Sequence, residues 1–125
     1  MSNFLENEIL DHILRNSAYT PPSTVFIGLS TGSFGDDNSG TELSGNGYAR
    51  QSIAFDAASG GVSDNTSNVD FPAATGNQGT ISHFGLFDAS SGGNLLIHGA
   101  FSASKAVTTG DILRIAAGEL DITAA

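Results

Sequence analysis

Residues 80–101, TISHFGLFDASSGGNLLIHGAF, read as a β-hairpin. Ile81, His83, Gly85 and Phe87 alternate with Ser82, Phe84 and Leu86, and a run of Asp, Ser and Gly from Asp88 to Gly93 then breaks the pattern. Beyond it Leu95, Ile97, Gly99 and Phe101 alternate with Leu96, His98 and Ala100. Apolar residues fall on both faces of both arms. A strand pair of that kind needs packing on each face, so the hairpin is expected in the middle of a sheet in a sandwich or barrel.

Several further strands are expected around it. Thr24–Ser30 (TVFIGLS) is apolar on both faces, and Tyr48–Phe55 (YARQSIAF) alternates with Tyr48, Arg50 and Ser52 on a wet face. Ser67–Phe71, Ser102–Val107, Ile112–Ala116 and Glu119–Thr123 are shorter candidates, separated by Gly-, Ser- and Asp-rich connections that include Asp56–Asn65. The only clear helical spacing is near the N-terminus, where Leu5, Ile9, Ile13 and Leu14 form a stripe over residues 4–15. Asn3 is expected to cap this helix with Glu6 three residues on, and Pro21 and Pro22 end any continuation. Packing of the helix against one end of the sheets is the expected arrangement, and docking on a partner chain is the alternative. With one helix and about eight short strands, the expected fold is mainly β, a single antiparallel β-sandwich of jelly-roll type with one N-terminal amphipathic α-helix. The 125 residues suffice for a single domain, with an N-terminal helix and arm over 1–20 and the sandwich over 24–123.

Composition narrows the chemistry. The net charge of −9, with Arg15, Arg50, Lys105 and Arg114 the only fixed cations, argues against nucleic acid as a partner, because binding to phosphate backbones draws on clustered Lys and Arg. No apolar run approaches the roughly 20 residues of a membrane helix, and the N-terminus lacks a signal-peptide pattern, so no membrane partner is expected and synthesis in a cytoplasm fits best. The absence of Cys removes thiol, disulfide and Cys–metal chemistry.

Three local patterns hint at chemistry. Gly28-Leu29-Ser30-Thr31-Gly32 has the G-x-S-x-G spelling of a nucleophile elbow, but a Gly- and Asp-rich loop follows where a helix is required. His83 and His98 on opposite hairpin arms lack a third ligand and read as hydrogen-bonded sheet residues. Asp36, Asp37 and Glu42 in the long loop 31–47 offer oxygens for Ca²⁺ without EF-hand spacing, and the default for that stretch is a solvated loop. No catalytic residue, metal site or cofactor is assigned, and the chain is not expected to be an enzyme.

Three blocks carry a family likeness: NFLENEILDHILRNSAYTPPSTVFIGLSTG at the start, GTELSGNGYARQSIAF in the middle and HFGLFDASSGGNLLIHGAFSASKAVTTGD toward the end. Together they resemble small virion structural proteins of tailed bacteriophages, variously labelled tail fibre-like or head decoration proteins. The resemblance implies a structural role in the virion without catalysis. The favoured expectation is a capsid cement protein that binds the major capsid protein and other virion proteins on the outer shell, as a homo-oligomer, dimer or trimer; the alternative is a tail fibre or baseplate component. Candidate partner contacts are Phe4, Leu5, Ile9, His12, Ile13 and Tyr19 in the leader, Phe34, Asp36, Asp37 and Glu42 in the long loop, and Tyr48 and Arg50 beyond it.

Overall fold

The computed structural model describes residues 1–124. The N-terminal helix α1 (Asn3–Leu14) is followed by eight strands: β1 (Val25–Ser30), β2 (Gln51–Ile53), β3 (Val62–Asp64), β4 (Val69–Asp70), β5 (Gly79–Phe87), β6 (Leu95–Val107), β7 (Arg114–Ile115) and β8 (Asp121–Thr123). Every pairing is antiparallel. One four-stranded sheet runs in the order β2-β1-β5-β6, and β3-β8 and β4-β7 form two separate ribbons. The expected mainly β class with one leader helix is what forms.

The strand inventory differs in detail from the sequence reading. The second hairpin arm and the weak strand after it are one continuous 13-residue strand, β6. A strand missed by pattern, β3, lies inside the Gly- and Ser-rich connection 56–65 because its partner β8 is supplied from the far end of the chain. The hairpin is central on one side only: β5 lies between β1 and β6, and β6 is an edge of the sheet.

Both faces of the sheet are covered, as two-sided apolar strands require. On one face Ile27, Leu29, Ile53, Ile81, Phe84 and Leu86 pack with Val69 and Ile115 of the β4-β7 ribbon and with Phe71, Leu113 and Leu120. On the other, Phe34, Phe87 and Leu95 form a smaller cluster, the Phe34 and Phe87 rings meeting edge to face at 5.6 Å. Simple alternation along the hairpin fails at two register shifts, between Ile81 and His83 and between Leu86 and Phe87. The second shift sets Leu95 opposite Phe87 while Ile97 lies opposite Leu86, so Leu95 and Ile97, expected to share a face, serve different clusters. One extra residue on a strand reverses the direction of every side chain beyond it.

The second cluster sits over a floor without side chains. Gly28 and Gly85 face each other across β1 and β5. A Cβ on Gly28 would lie 2.7 Å from Glu42 Oε2 and 3.0 Å from both Phe87 and the Tyr48 hydroxyl, and one on Gly85 would lie 2.9 Å from Leu95 and from Phe87. Gly28 is thus there to leave room, which is the structural meaning of the elbow-like spelling. The Ser30 hydroxyl donates to the Thr41 carbonyl at 2.7 Å and accepts from Gly32 N–H, and the residue is buried.

The helix departs from expectation at its N-terminus. Its N-cap is Ser2, whose hydroxyl accepts from Leu5 N–H at 3.2 Å, and not Asn3. Ser2 is itself buried; its hydroxyl donates to the Leu95 carbonyl and its N–H to Leu96 O at 2.8 Å. The first turn is therefore fastened to β6, whereas no residue of α1 is fully buried. The helix does not plug an end of the sheets; Asn16 ends it in a left-handed conformation at φ 54°.

A glycine floor this crowded predicts a clear cost of overpacking. Gly28→Ala is expected to lower stability by about 1–3 kcal/mol in chemical denaturation, whereas Gly32→Ala, where nothing lies within 4 Å of the added Cβ and the backbone is outside the left-handed region, meets no such crowding and is expected to leave stability nearly unchanged. Equal losses from the two variants would contradict the packing described.

Candidate functional site

Arg50 is the residue on which the second face is assembled. Its guanidinium is placed by the approach to β2, next to the glycine floor, with only 7% of the side chain exposed. Nε donates to Glu42 Oε2 at 2.9 Å and one terminal nitrogen to Glu42 Oε1 at 2.8 Å, a two-pronged ion pair. The other terminal nitrogen donates to the carbonyls of Ala89 and Gly92 at 2.9 and 2.8 Å, holding the β5–β6 turn. The plane lies over the Phe87 ring, 3.6 Å from its centroid. The Tyr48 hydroxyl donates to Glu42 Oε2 and accepts from Leu29 N–H at 3.0 Å. Burial first, and then the hydrogen bond to the Glu42 carboxylate, raise the Tyr48 pKa well above that of a free phenol.

These contacts redefine most of the candidate partner residues of the loop. Tyr48 and Arg50, placed on a wet face by alternation, point into the molecule and have their hydrogen bonds met within the chain. Phe34 is 1% exposed and belongs to the second core cluster. Glu42, expected in a solvated loop, is the counter-ion of Arg50. Loop 31–47 is therefore a roof over the outer face of the sheet, with Leu43 N–H donating to Leu29 O at 2.9 Å and Gly40 N–H to Phe34 O at 2.8 Å.

The remaining acidic residues of the loop diverge. Asp36 Oδ1 pairs with His98 Nε2 at 2.7 Å, and its carbonyl accepts from Asn3 N–H at 2.8 Å. Asp37 accepts from Ser39 N–H at 3.1 Å; hydrogen bonding with the Ser39 side chain first, and then this local turn bond, hold its carboxyl below the usual range. With Asp36, Asp37 and Glu42 committed to three different partners, the loop offers no common focus for a cation. Among the described residues no group of three or more His, Cys, Asp or Glu stands at metal-holding spacing. The two sheet histidines also go separate ways: His83 lies opposite Ala100 and its Nδ1 meets Ser82 Oγ at 2.7 Å, while His98 lies opposite Gly85 and reaches the loop.

The leader presents a different surface. Phe4 and Leu5 are half-buried at the base of α1, where Phe4 meets Tyr19 edge to face at 6.3 Å. His12 is exposed and its Nδ1 accepts from Tyr19 N–H at 3.2 Å. Beyond that base the aliphatic side chains stand in solvent: Ile9 is 39%, Leu10 54%, Ile13 69% and Leu14 74% exposed. Ile9 and Ile13 were legible as part of a stripe; Leu10 lay off it and was missed, although its spacing of four from Leu14 was available. Four large aliphatics on one short helix form the most conspicuous exposed apolar patch of the described chain, the kind of feature that marks association.

One further pairing eluded the sequence reading. Asp64 of β3 and Asp121 of β8 are directly opposed in register, and Asp64 Oδ1 is buried with no donor. The Asp64 pKa is raised, first by a hydrogen bond shared with the Asp121 carboxyl, then by burial and by repulsion from Asp121 and Asp56.

Two expected outcomes follow from these contacts. Glu42→Ala leaves Arg50 buried without its counter-ion and is expected to cost about 3 kcal/mol, measured by denaturant unfolding, whereas Asp37→Ala, which removes only an exposed local contact with Ser39, is expected to lower the midpoint far less. For Asp64, a folded pKa above the unfolded value means that the native state holds the extra proton: its contribution is complete below the ordinary carboxylate pKa and is lost as pH rises through the raised value. Asp121→Asn should therefore flatten the fall in stability as pH rises above the ordinary carboxylate range, and an unchanged slope would count against the carboxyl pair.

The comparison with known proteins points to a virion part. No curated protein matches the chain. The family model described as podophage GP4 fiber I protein gp80 matches residues 1–123. Spanning nearly the whole chain, that match shows that the protein belongs to the gp80 fiber I family and is a bacteriophage virion structural protein of fibre type.

Proposed function

We propose that the protein is a non-catalytic building block of a podophage tail fibre, joined to other virion polypeptides through the aliphatic side of α1. The family match over residues 1–123 carries the assignment to a fibre in preference to capsid cement, the reading favoured from sequence alone. The geometry agrees with it. The hydroxyls and carboxylates that looked chemically suggestive, Ser30, Glu42 and Asp36, are each engaged in holding loop 31–47 to the sheet. What the chain leaves unsatisfied is apolar surface on its leader helix. A folded body with a projecting sticky element is suited to assembly. An acidic surface also limits unspecific association between copies before assembly.

Stoichiometry and position separate a fibre from a shell protein. A closed appendage holds its subunits in small multiples of its rotational order, whereas a shell-covering protein recurs with every shell subunit. Quantitative mass spectrometry of purified virions is expected to give far fewer copies of this chain than of the major shell protein, with immunogold label at the tail. Copy numbers comparable to the shell protein, with label over the head, would refute the fibre assignment and restore the cement reading.

A further inference from the structure

Loop 31–47 ends on Asn46-Gly47, the one place in the chain where asparagine precedes glycine. With no side chain on the following residue, its backbone nitrogen can reach the asparagine amide carbon and close a succinimide ring. Both residues are exposed to water, and among the described residues none accepts a hydrogen bond from the Gly47 N–H. Nucleophile and solvent are therefore in place. The rest of Asn46 is tied down. Its carbonyl accepts from Thr75 N–H at 3.0 Å and from Gln78 Nε2 at 2.9 Å, and its Nδ2 donates to the Asn77 carbonyl at 2.9 Å. Its backbone stands in the left-handed region at φ 53°, a conformation that asparagine tolerates in turns. A Cβ on Gly76 would fall 2.6 Å from Asn46 Oδ1 and 2.8 Å from its Cγ, so Gly76 provides the space in which the amide lies.

We propose that Asn46 is a latent self-modification site, stored unreacted while the end of loop 31–47 rests on residues 75–78 and converted to aspartate or isoaspartate when that contact opens. In the conversion the Gly47 nitrogen gives its proton to solvent base and attacks Asn46 Cγ. The new C–N bond displaces Nδ2, which leaves as ammonia with a proton from water. Water then opens the succinimide at either carbonyl, so the net change is uptake of one water and release of one ammonia. The docked loop holds this off because ring closure turns the Gly47 nitrogen toward Cγ by rotation about the Cα–C bond of Asn46. That rotation swings the carbonyl away from both of its donors. Conversion is also one-way. Aspartate sets a carboxylate oxygen, in place of a donor, against the Asn77 carbonyl, and isoaspartate inserts a methylene into the backbone, so neither product restores the contact. The modification is a property of the purified chain and does not depend on the fibre assignment, so either can fail alone.

Peptide mapping by mass spectrometry, over a time course in mildly alkaline buffer, tests it on the whole native chain and on the same chain in denaturant. Asn46 is expected to convert readily in denaturant and at least about tenfold more slowly in the native chain. Gln78→Ala removes one donor to the Asn46 carbonyl and is expected to speed native conversion by about two- to tenfold, the factor carried by one hydrogen bond. Gly76→Ala crowds the amide out of its space and should act in the same direction. Circular dichroism verifies each fold, and Gln78→Ala, which only shortens a side chain in an exposed contact, decides the matter if Gly76→Ala does not fold. A native chain that converts as fast as the denatured one would overturn the proposal. So would a denatured chain that does not convert, or folded variants that react no faster than the wild type.

Discussion

The ion pair between Arg50 and Glu42 over the Gly28–Gly85 floor is the contact on which the outer face of this protein depends. A buried guanidinium is tolerable only when its donors are met, and here they are met by two carboxylate oxygens, two turn carbonyls and the face of Phe87. These partners come from two distant stretches, the long loop and the end of β5 with its turn. Through this one side chain the long loop, the β2 strand and the β5–β6 turn are brought into fixed relation, and Tyr48 extends the arrangement to β1. An apolar residue of similar volume could fill the space, but it would not fix four segments in one geometry.

The consequence is a division of labour across the sheet. The inner face is held by ordinary apolar burial against the short β4-β7 ribbon and its flanking segments. The outer face has only Phe34, Phe87 and Leu95 as a closed apolar cluster, and relies on polar contacts to keep a Gly- and Ser-rich loop in place. Because the loop is tethered, its Asp36 backbone and side chain can anchor the first turn of α1 and His98 of β6. The leader helix is thereby presented from a rigid base with its aliphatic side outward. The family match gives that presentation a setting, a virion structural protein of fibre type.

The fold class was legible because it rests on local patterns. Two-sided apolar runs at Val25–Ser30 and Gly79–Phe87 marked central strands, and both lie in the middle of the sheet. What escaped was set by pairs distant in sequence. Strand β3 is three residues long and exists because β8 pairs with it, and the two register shifts in the hairpin arise from packing on opposite faces, which no alternation count contains. The candidate contacts divided in the same way. Ile9 and Ile13 could be read as a helical stripe and are exposed. Arg50, Glu42, Tyr48 and Phe34 looked like surface residues because polar residues and loop positions usually are, and nothing local revealed that two glycines opposite each other would make room for them.

The central claim is that loop 31–47 is a fixed roof held by Arg50, which leaves association to the leader helix. Native-state hydrogen exchange tests this most directly, through the amides of Gly40 and Leu43, whose bonds to Phe34 and Leu29 close the roof. The account predicts that these amides are protected on the scale of those in β5 and lose that protection in Arg50→Ala. Exchange of Gly40 and Leu43 at the rate of an open chain, with β5 still protected, would show the loop to be free of the sheet and would contradict it.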